Sequence, residues 1–173
     1  HWELLGRQEI LNGQRLYIKD FVNVRYPSPP REFTTRDVER LNRSIAAWQH
    51  KPLISIIMPV YNVDVRWLAA AIESVRKQIY SNWQLCIADD CSTHKETLNY
   101  LHDLHDERIK VVFLEKNQGI ASASNAALAL AVGDFIALLD NDDELTPDAL
   151  YEVVKAINEH DPDLIYSDED KLT

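Results

Sequence analysis

The stretch Asp134-Phe-Ile-Ala-Leu-Leu-Asp-Asn-Asp-Asp-Glu144 joins a short apolar run to four acidic residues. Its apolar part, Phe135–Leu139, has the length of a buried strand. On an extended chain, Asp140 and Asp142 fall on one side, with Asn141 turned away. Crowded carboxylates repel one another, and a hard cation relieves that repulsion by taking oxygen ligands. The stretch therefore predicts a metal–diphosphate site where a strand leaves its sheet.

The same acidic residues also have a plainer interpretation. Thr146-Pro-Asp148 combines a good helix N-cap, a proline at the first helical position and an acid favoured by the helix dipole. The acids can then be a solvated turn before a helix. If a cation does bind, Mg²⁺ needs only one or two protein carboxylates and takes water and phosphates as its other ligands. Asp140, Asp142 and Asp143 are the candidate metal ligands.

Strands alternate with helices from Lys51 onward. This alternation predicts parallel β-α-β units with right-handed connections in an α/β sandwich. Apolar runs predict strands at Leu53–Pro59, Trp83–Ala88, Ile109–Leu114 and Leu164–Tyr166. Helical spacing predicts helices at Trp67–Ile79 and Ile120–Val132 and a further helix that contains Leu150 to Ile157. A capping box at Thr93–Glu96 predicts the start of one more helix.

Polar residues follow several of these predicted strands. In parallel sheets, ligands collect at the carboxyl ends of the strands. Those ends carry Tyr61-Asn62, Asp89-Asp90, the acids from Asp140 to Asp143, and Asp168–Asp170. The sequence therefore predicts that these groups gather on one edge of the sheet.

Residues 1–50 differ from the rest and are expected to form an N-terminal extension that carries no chemistry. The chain from residue 51 to residue 173 is expected to form the main domain. The extension is predicted to contain a weak helix at Trp2–Leu11, an extended segment at Tyr17–Val24, a stiff proline-rich linker at Tyr26–Pro30, and a second helix capped by Thr34 or Thr35.

Charge and composition exclude several classes of protein. The 173 residues have a net charge of −10, and residues 134–173 hold 13 of the 28 acids against only Lys155 and Lys171. Nucleic acid is therefore not expected as a partner, because phosphate binding needs a basic face. No apolar run approaches the roughly 18 residues that span a bilayer. Two cysteines, Cys86 and Cys91, predict reduced thiols and a cytoplasmic protein, with the inner face of the membrane as a second possible location.

Familiar nucleotide and hydrolase motifs are absent from the sequence. There is no Gly-x-Gly-x-x-Gly, no Gly-x4-Gly-Lys-Ser/Thr and no Gly-x-Ser-x-Gly, and the chain has only 4 glycines. A Rossmann dinucleotide site, a P-loop and a serine hydrolase are therefore not supported.

Four segments occur in a characteristic order and spacing: Ile54-Ser-Ile-Ile-Met-Pro-Val-Tyr-Asn62, Ile87-Ala-Asp-Asp-Cys-Ser92, Asn117-Gln-Gly119 and Leu139-Asp-Asn-Asp-Asp143. Together they resemble the signatures of family 2 glycosyltransferases, which have the GT-A (Rossmann-like) α/β/α fold with a mostly parallel sheet. The segment at residues 166–171 is similar to the subgroup that builds bacterial cell-surface polysaccharides such as O-antigen. The resemblance covers residues 51–173 and implies a nucleotide-sugar-binding domain.

This resemblance implies roles for individual residues. Pro59, Val60 and Tyr61 would line a nucleobase pocket, and Asp90 would accept from a uracil or thymine imide N–H. Asp140 and Asp142, in an Asp-x-Asp pattern, would reach the ribose and a Mg²⁺ or Mn²⁺ ion. Further residues expected at the nucleotide sugar are Asn62, Asp89, Gly119, Asn125 and Asn141, with Asp168 and Asp170 at the sugar or acceptor edge.

The resemblance implies an inverting transfer of sugar from a UDP- or dTDP-sugar to a saccharide acceptor. The chain departs from many members in having Ser124 where they have arginine before the asparagine, here Asn125. No residue matches the family's general base, so the acceptor half and the base are expected beyond Thr173. Two other classes stay open: a sugar-phosphate nucleotidyltransferase, which normally has a glycine-rich basic loop after its first strand, and a non-enzymatic receiver-type domain.

Overall fold

The computed structural model describes residues 33–167, together with the backbone of three short strands nearer the N-terminus. The strands are β1 (Ile10–Leu11), β2 (Gln14–Arg15), β3 (Phe21–Val24), β4 (Ile54–Val60), β5 (Trp83–Asp89), β6 (Ile109–Phe113), β7 (Phe135–Leu138) and β8 (Leu164–Ser167). The helices are α1 (Thr35–Ala47), α2 (Val65–Arg76), α3 (Lys95–His102), α4 (Ile120–Leu128) and α5 (Ala149–His160).

The chain divides into two compact units. One contains residues 33–151, and the other contains residues 1–32 and 152–173. No helix of the described residues has the length and apolar character needed to cross a membrane.

The first unit is built on a four-stranded sheet in the order β6-β5-β4-β7, and all three pairs of neighbours are parallel. The chain moves from β4 through β5 to β6, and then returns across the sheet to β7. Right-handed crossovers therefore place α2 and α3 on one face and α4 on the other. The predicted α/β layout with a parallel sheet is confirmed.

Small side chains let α4 lie close to the sheet. Ala123 and Ala127 of α4 form one buried cluster with Ile57, Cys86 and Ala88 of the central strands. Burial raises the pKa of the Cys86 thiol to about 11, because the apolar core disfavours a thiolate. Cys86 is thus a protonated core residue, and both cysteines are free thiols.

Helix α1 belongs to the same unit as the sheet. Thr34 is its N-cap, and a capping box joins Thr34 to Asp37, which confirms one of the two predicted caps. Just after the helix, the Trp48 ring lies 5.0 Å from the Tyr151 ring and 6.3 Å from the Tyr80 ring, centroid to centroid. The aromatic contacts secure the end of α1 to this unit.

The second unit pairs the two ends of the chain. β3 and β8 are parallel neighbours, with Phe21 opposite Leu164 and Val24 opposite Ser167. The predicted strand at Leu164–Tyr166 thus exists, and its partner is the extended segment predicted within Tyr17–Val24.

Three of the predictions for the N-terminal extension need comment. The weak helix predicted to end at Leu11 is wrong at its last two residues, because Ile10 and Leu11 pair with Gln14–Arg15 as an antiparallel ladder. Gly6 already interrupts the apolar pattern on which that helix depended. The remainder of this predicted helix and the linker Tyr26–Pro30 lie outside the described residues.

Candidate functional site

The carboxyl ends of β4, β5 and β7 meet at one edge of the sheet, which we call the ligand edge. Val60 is paired with Asp89, and Ile57 with Leu138, so the loops that follow these strands start side by side. The Asp90 N–H donates to the Val60 carbonyl at 2.8 Å, which extends the β4–β5 ladder by one step. The predicted gathering on one edge is confirmed for Tyr61-Asn62, Asp89-Asp90 and the Asp140–Asp143 segment. β8, the strand predicted to bring Asp168–Asp170 to this edge, pairs instead with β3 in a separate sheet.

Asp90 holds the turn before α4. Its Oδ1 accepts from the Gln118 N–H at 2.8 Å and its Oδ2 from the Gly119 N–H at 2.7 Å. The Asn117 side chain donates to the Asp90 carbonyl at 3.3 Å. Asp90 is only 2% exposed, so one carboxylate at the end of β5 fixes the loop that follows β6.

Asn62 connects the loop after β4 to the loop after β5. Its backbone N–H donates to Ser92 Oγ at 2.8 Å, and its Oδ1 accepts from the Thr93 N–H at 2.7 Å and the His94 N–H at 3.2 Å. The capping box predicted at Thr93–Glu96 is wrong: His94 is the N-cap of α3 and makes no side-chain cap bond. Thr93 is already engaged, because its backbone N–H and its hydroxyl both point at the Asn62 oxygen.

Asp89 supports this connection through Ser92. It is 1% exposed, and its Oδ2 accepts from the Ser92 N–H at 3.0 Å. Its Oδ1 is buried without a hydrogen-bond partner among the described residues. Asp89 therefore faces the interior of the loops and not the solvent.

The acidic segment after β7 is a turn. The Asp143 N–H donates to the Asp140 carbonyl at 3.3 Å, so the extended geometry predicted for Asp140 to Asp142 is wrong. Asn141 is turned inward, and its side-chain N–H donates to the Pro59 carbonyl at 2.7 Å. The side chains of Asp140, Asp142 and Asp143 are exposed.

Two buried polar side chains, Ser74 of α2 and Gln78 just after its end, anchor the chain after this turn. Ser74 Oγ accepts from the Leu145 N–H at 3.0 Å, and Gln78 Oε1 accepts from the Leu150 N–H at 2.9 Å. Gln78 Nε2 also donates to the Thr146 carbonyl at 2.7 Å. The chain that leaves the turn is therefore held by buried side chains, while the carboxylates of the turn face solvent.

The carboxylates of this turn fit a hard cation only as part of a larger ligand set. Within residues 33–167 no group of three or more His, Cys, Asp or Glu side chains is arranged to hold a metal. Asp140 and Asp142 supply oxygen donors, and Mg²⁺ characteristically uses one or two protein carboxylates with phosphate oxygens. The donor chemistry thus fits a cation that arrives with a diphosphate.

Gly119 is the N-cap of α4 and has φ +85° and ψ 166°, a conformation that side-chain-bearing residues rarely adopt. A Cβ there would meet no atom within 4 Å, so the backbone angle and not crowding favours glycine. Asn125 is the sixth residue of α4 and is exposed. Asp168 and Asp170 lie outside the described residues.

Sequence reasoning missed the residues that build the framework of the ligand edge. Ser92, Ser74 and Gln78 are buried polar residues whose partners are distant backbone groups. Ser74 and Gln78 lie four residues apart within the helix predicted at Trp67–Ile79, and this spacing of polar residues is the available signal, although α2 itself ends at Arg76.

Comparison with known proteins connects this geometry to a family. Residues 55–168 match the model of glycosyl transferase family 2. The chain is 50% identical over 136 residues to an uncharacterized protein, y4gI, of Sinorhizobium fredii, covering 77% of this chain and 15% of that protein. It is 46% identical over 91 residues to the Escherichia coli UDP-Glc:alpha-D-GlcNAc-diphosphoundecaprenol beta-1,3-glucosyltransferase WfgD, covering 53% and 35% of the two chains.

Among solved structures, S. aureus TarS in complex with UDP-GlcNAc superposes with a TM-score of 0.58 at 30% identity, over 62% of this chain and 32% of TarS. The chain therefore spans about a third or less of the length of these three proteins.

Proposed function

Because the chain belongs to glycosyl transferase family 2, we propose that it forms the donor-binding part of a bacterial polysaccharide glycosyltransferase. The donor is a UDP- or dTDP-sugar, and the acceptor is a saccharide. The observation that carries this proposal is the ligand edge, where Tyr61, Asp90 and Asp142 follow three neighbouring parallel strands. The nucleotidyltransferase and receiver-domain alternatives are set aside, since neither belongs to this family.

The nucleobase is assigned to the ends of β4 and β5. Pro59, Val60 and Tyr61 line one side, and the Tyr61 ring is 51% exposed at the edge. Asp90 is the proposed acceptor for the imide N–H, since each carboxylate oxygen keeps capacity beyond its one backbone partner. Because Asp90 is 2% exposed, an imide reaches it only when neighbouring groups move aside.

The diphosphate is assigned to the turn after β7. Asp140 and Asp142 would hold Mg²⁺ or Mn²⁺ with the phosphate oxygens, and Asp143 lies beside them. Such a cation stabilises the negative charge that develops on the leaving diphosphate. Asn141 is assigned to positioning, because its side chain fixes the turn to Pro59.

In the reaction proposed for the whole protein, an acceptor hydroxyl attacks the anomeric carbon while a base removes its proton. The C–O bond to the diphosphate breaks, and the nucleoside diphosphate leaves with the electron pair. Attack opposite the leaving group inverts the configuration. The described residues are assigned to donor binding, and the base stays unassigned.

The two cysteines, Cys86 and Cys91, are free thiols, which supports a cytoplasmic location for the proposed enzyme.

Substitution of Asp142 tests the metal assignment. Asp142→Asn removes a charged ligand, and we expect UDP affinity in Mn²⁺ to fall by about tenfold or more in calorimetry. Glu144→Gln is the matched control, because Glu144 is an exposed acid of the same segment outside the proposed ligand pair. Equal UDP affinity of Asp142→Asn and wild type would refute the assignment.

A further inference from the structure

Asn62 has an unusual backbone at the nucleobase end of the ligand edge. Its φ is +49°, in the left-handed region that few non-glycine residues adopt. Asparagine and aspartate tolerate this region better than other side chains do. The chain bends there, directly after the exposed Tyr61.

The Asn62 amide oxygen does the work of a helix cap for a different segment. It accepts from the Thr93 and His94 N–H groups, at 2.7 and 3.2 Å, immediately before α3 begins at Lys95. The Thr93 hydroxyl also lies 3.3 Å from it. The Asn62 side chain, from the loop after β4, therefore accepts hydrogen bonds from the backbone N–H groups at the start of α3, where the N-cap residue His94 makes no side-chain cap bond.

A second connection runs from Asn62 into the core. Its N–H donates to Ser92 Oγ at 2.8 Å, and the Ser92 N–H donates to Asp89 Oδ2 at 3.0 Å. Asp89 and Ser92 are both buried. The Asn62 bend is thus held through its backbone and through its side chain, and a buried carboxylate supports one of the two connections.

We propose that Asn62 is a positioning residue that locks the loops after β4 and β5 together, so that Tyr61 is presented to the nucleobase before binding. This inference rests on the proposed function, because it takes the nucleobase as the ligand beside Tyr61. With Asn62 engaged by Ser92, Thr93 and His94, its contribution to affinity comes from preorganising the pocket and not from touching the donor.

Three variants separate the side-chain lock from the backbone bend. Asn62→Gly keeps the left-handed conformation and removes the acceptor. Asn62→Asp keeps both the acceptor and the conformational tolerance. Asp161→Gly is the matched control, because Asp161 is another non-glycine residue with positive φ, +48°, after α5.

The first measurement is amide hydrogen exchange by NMR in the protein without nucleotide. We expect Asn62→Gly to speed exchange at the Thr93 and His94 amides by about tenfold or more, and at the Gln118 and Gly119 amides by less than about threefold. Asn62→Asp should stay within about threefold of wild type at all four amides, and Asp161→Gly should change none of them. Unchanged exchange at Thr93 and His94 in Asn62→Gly would overturn the lock.

The second measurement is UDP affinity by calorimetry in Mn²⁺. Asn62→Gly should bind about tenfold more weakly, with Asn62→Asp restored to within about threefold of wild type. Faster exchange with unchanged UDP affinity would overturn the positioning role. Absence of both UDP and dTDP binding by the wild type would refute the proposed function and the nucleobase part of this inference, while the exchange rates would still decide whether the lock exists.

Discussion

At the scale of single residues, the neighbouring acids Asp89 and Asp90 hold different loops. Alternation along the chain sends their side chains to opposite faces of the sheet. Asp89 binds the Ser92 amide on its own loop, while Asp90 binds the Gln118 and Gly119 amides, 28 and 29 residues away. The sequence could place both acids at a strand end, but their partners are backbone amides, which carry no side-chain signal, and those of Asp90 are also distant in sequence.

The role of Asp90 in the turn before α4 predicts a loss of stability on its removal. Hydrogen bonds to a charged group contribute about 1.5–3 kcal/mol each, and the exposed Gln118 and Gly119 can partly replace them with water. We therefore expect Asp90→Ala to lower the free energy of unfolding by about 1.5–3 kcal/mol in total, measured by urea denaturation. UDP affinity should fall as well.

Asp90→Asn provides the control, since it keeps one acceptor oxygen and should lose less stability. Asp90→Ala with wild-type stability and wild-type UDP affinity would refute both roles of this carboxylate.

At the scale of elements, β7 shows that an apolar run does not reveal whether a strand lies in the centre or at the edge of its sheet. Phe135–Leu139 was predicted as a buried strand, but β7 is an edge strand of the four-stranded sheet, and Ile136 and Leu138 are 47% and 81% exposed. Buried and edge strands of parallel sheets can both have uninterrupted apolar runs. Position in the sheet depends on strand order, which a local pattern does not contain.

Helix ends show the same limit. The cap of α1 was predictable because Thr34 and Asp37 are three residues apart, and the capping box forms. The predicted helix Ile120–Val132 extends four residues beyond the end of α4 at Leu128. After Leu128 the chain continues as a 3₁₀-type turn, in which the Leu130 and Ala131 N–H groups each donate to a carbonyl three residues back. Local spacing cannot register a competing acceptor such as Asn62, 31 residues before Thr93.

Gly133 sets the approach of the chain to β4 before β7 begins. A Cβ at this position would lie 2.6 Å from the Leu53 carbonyl oxygen and 2.8 Å from the Ser55 N, both backbone atoms. Gly133→Ala must therefore shift the strand, and we expect it to cost about 1–3 kcal/mol, measured as a lower Tm.

Val132→Ala is the control, since Val132 is exposed and its truncation should change stability by less than about 0.5 kcal/mol. An unchanged Tm for Gly133→Ala would contradict this prediction, because it would mean that the backbone of Leu53 and Ser55 can shift without loss of stability.

At the scale of the whole molecule, alternation of strands and helices predicted the parallel sheet and its ligand edge, and both are present. The order β6-β5-β4-β7 and the pairing of β3 with β8 were not predicted, because both depend on contacts between distant segments. The candidate site was predictable as a set of strand-end acids. The three-dimensional structure was needed to show which of these acids face solvent and which hold the loops.

The proposed function requires the ligand edge to bind a uridine or thymidine diphosphate together with a divalent cation. The most direct test is calorimetric titration of UDP into the wild-type protein in Mn²⁺ and again in EDTA, with GDP as the control nucleotide. We predict UDP binding in Mn²⁺ that weakens by about tenfold or more in EDTA, and GDP binding weaker than that of UDP. Equal UDP affinity in Mn²⁺ and in EDTA, or binding of neither UDP nor dTDP in Mn²⁺, would refute the proposed function.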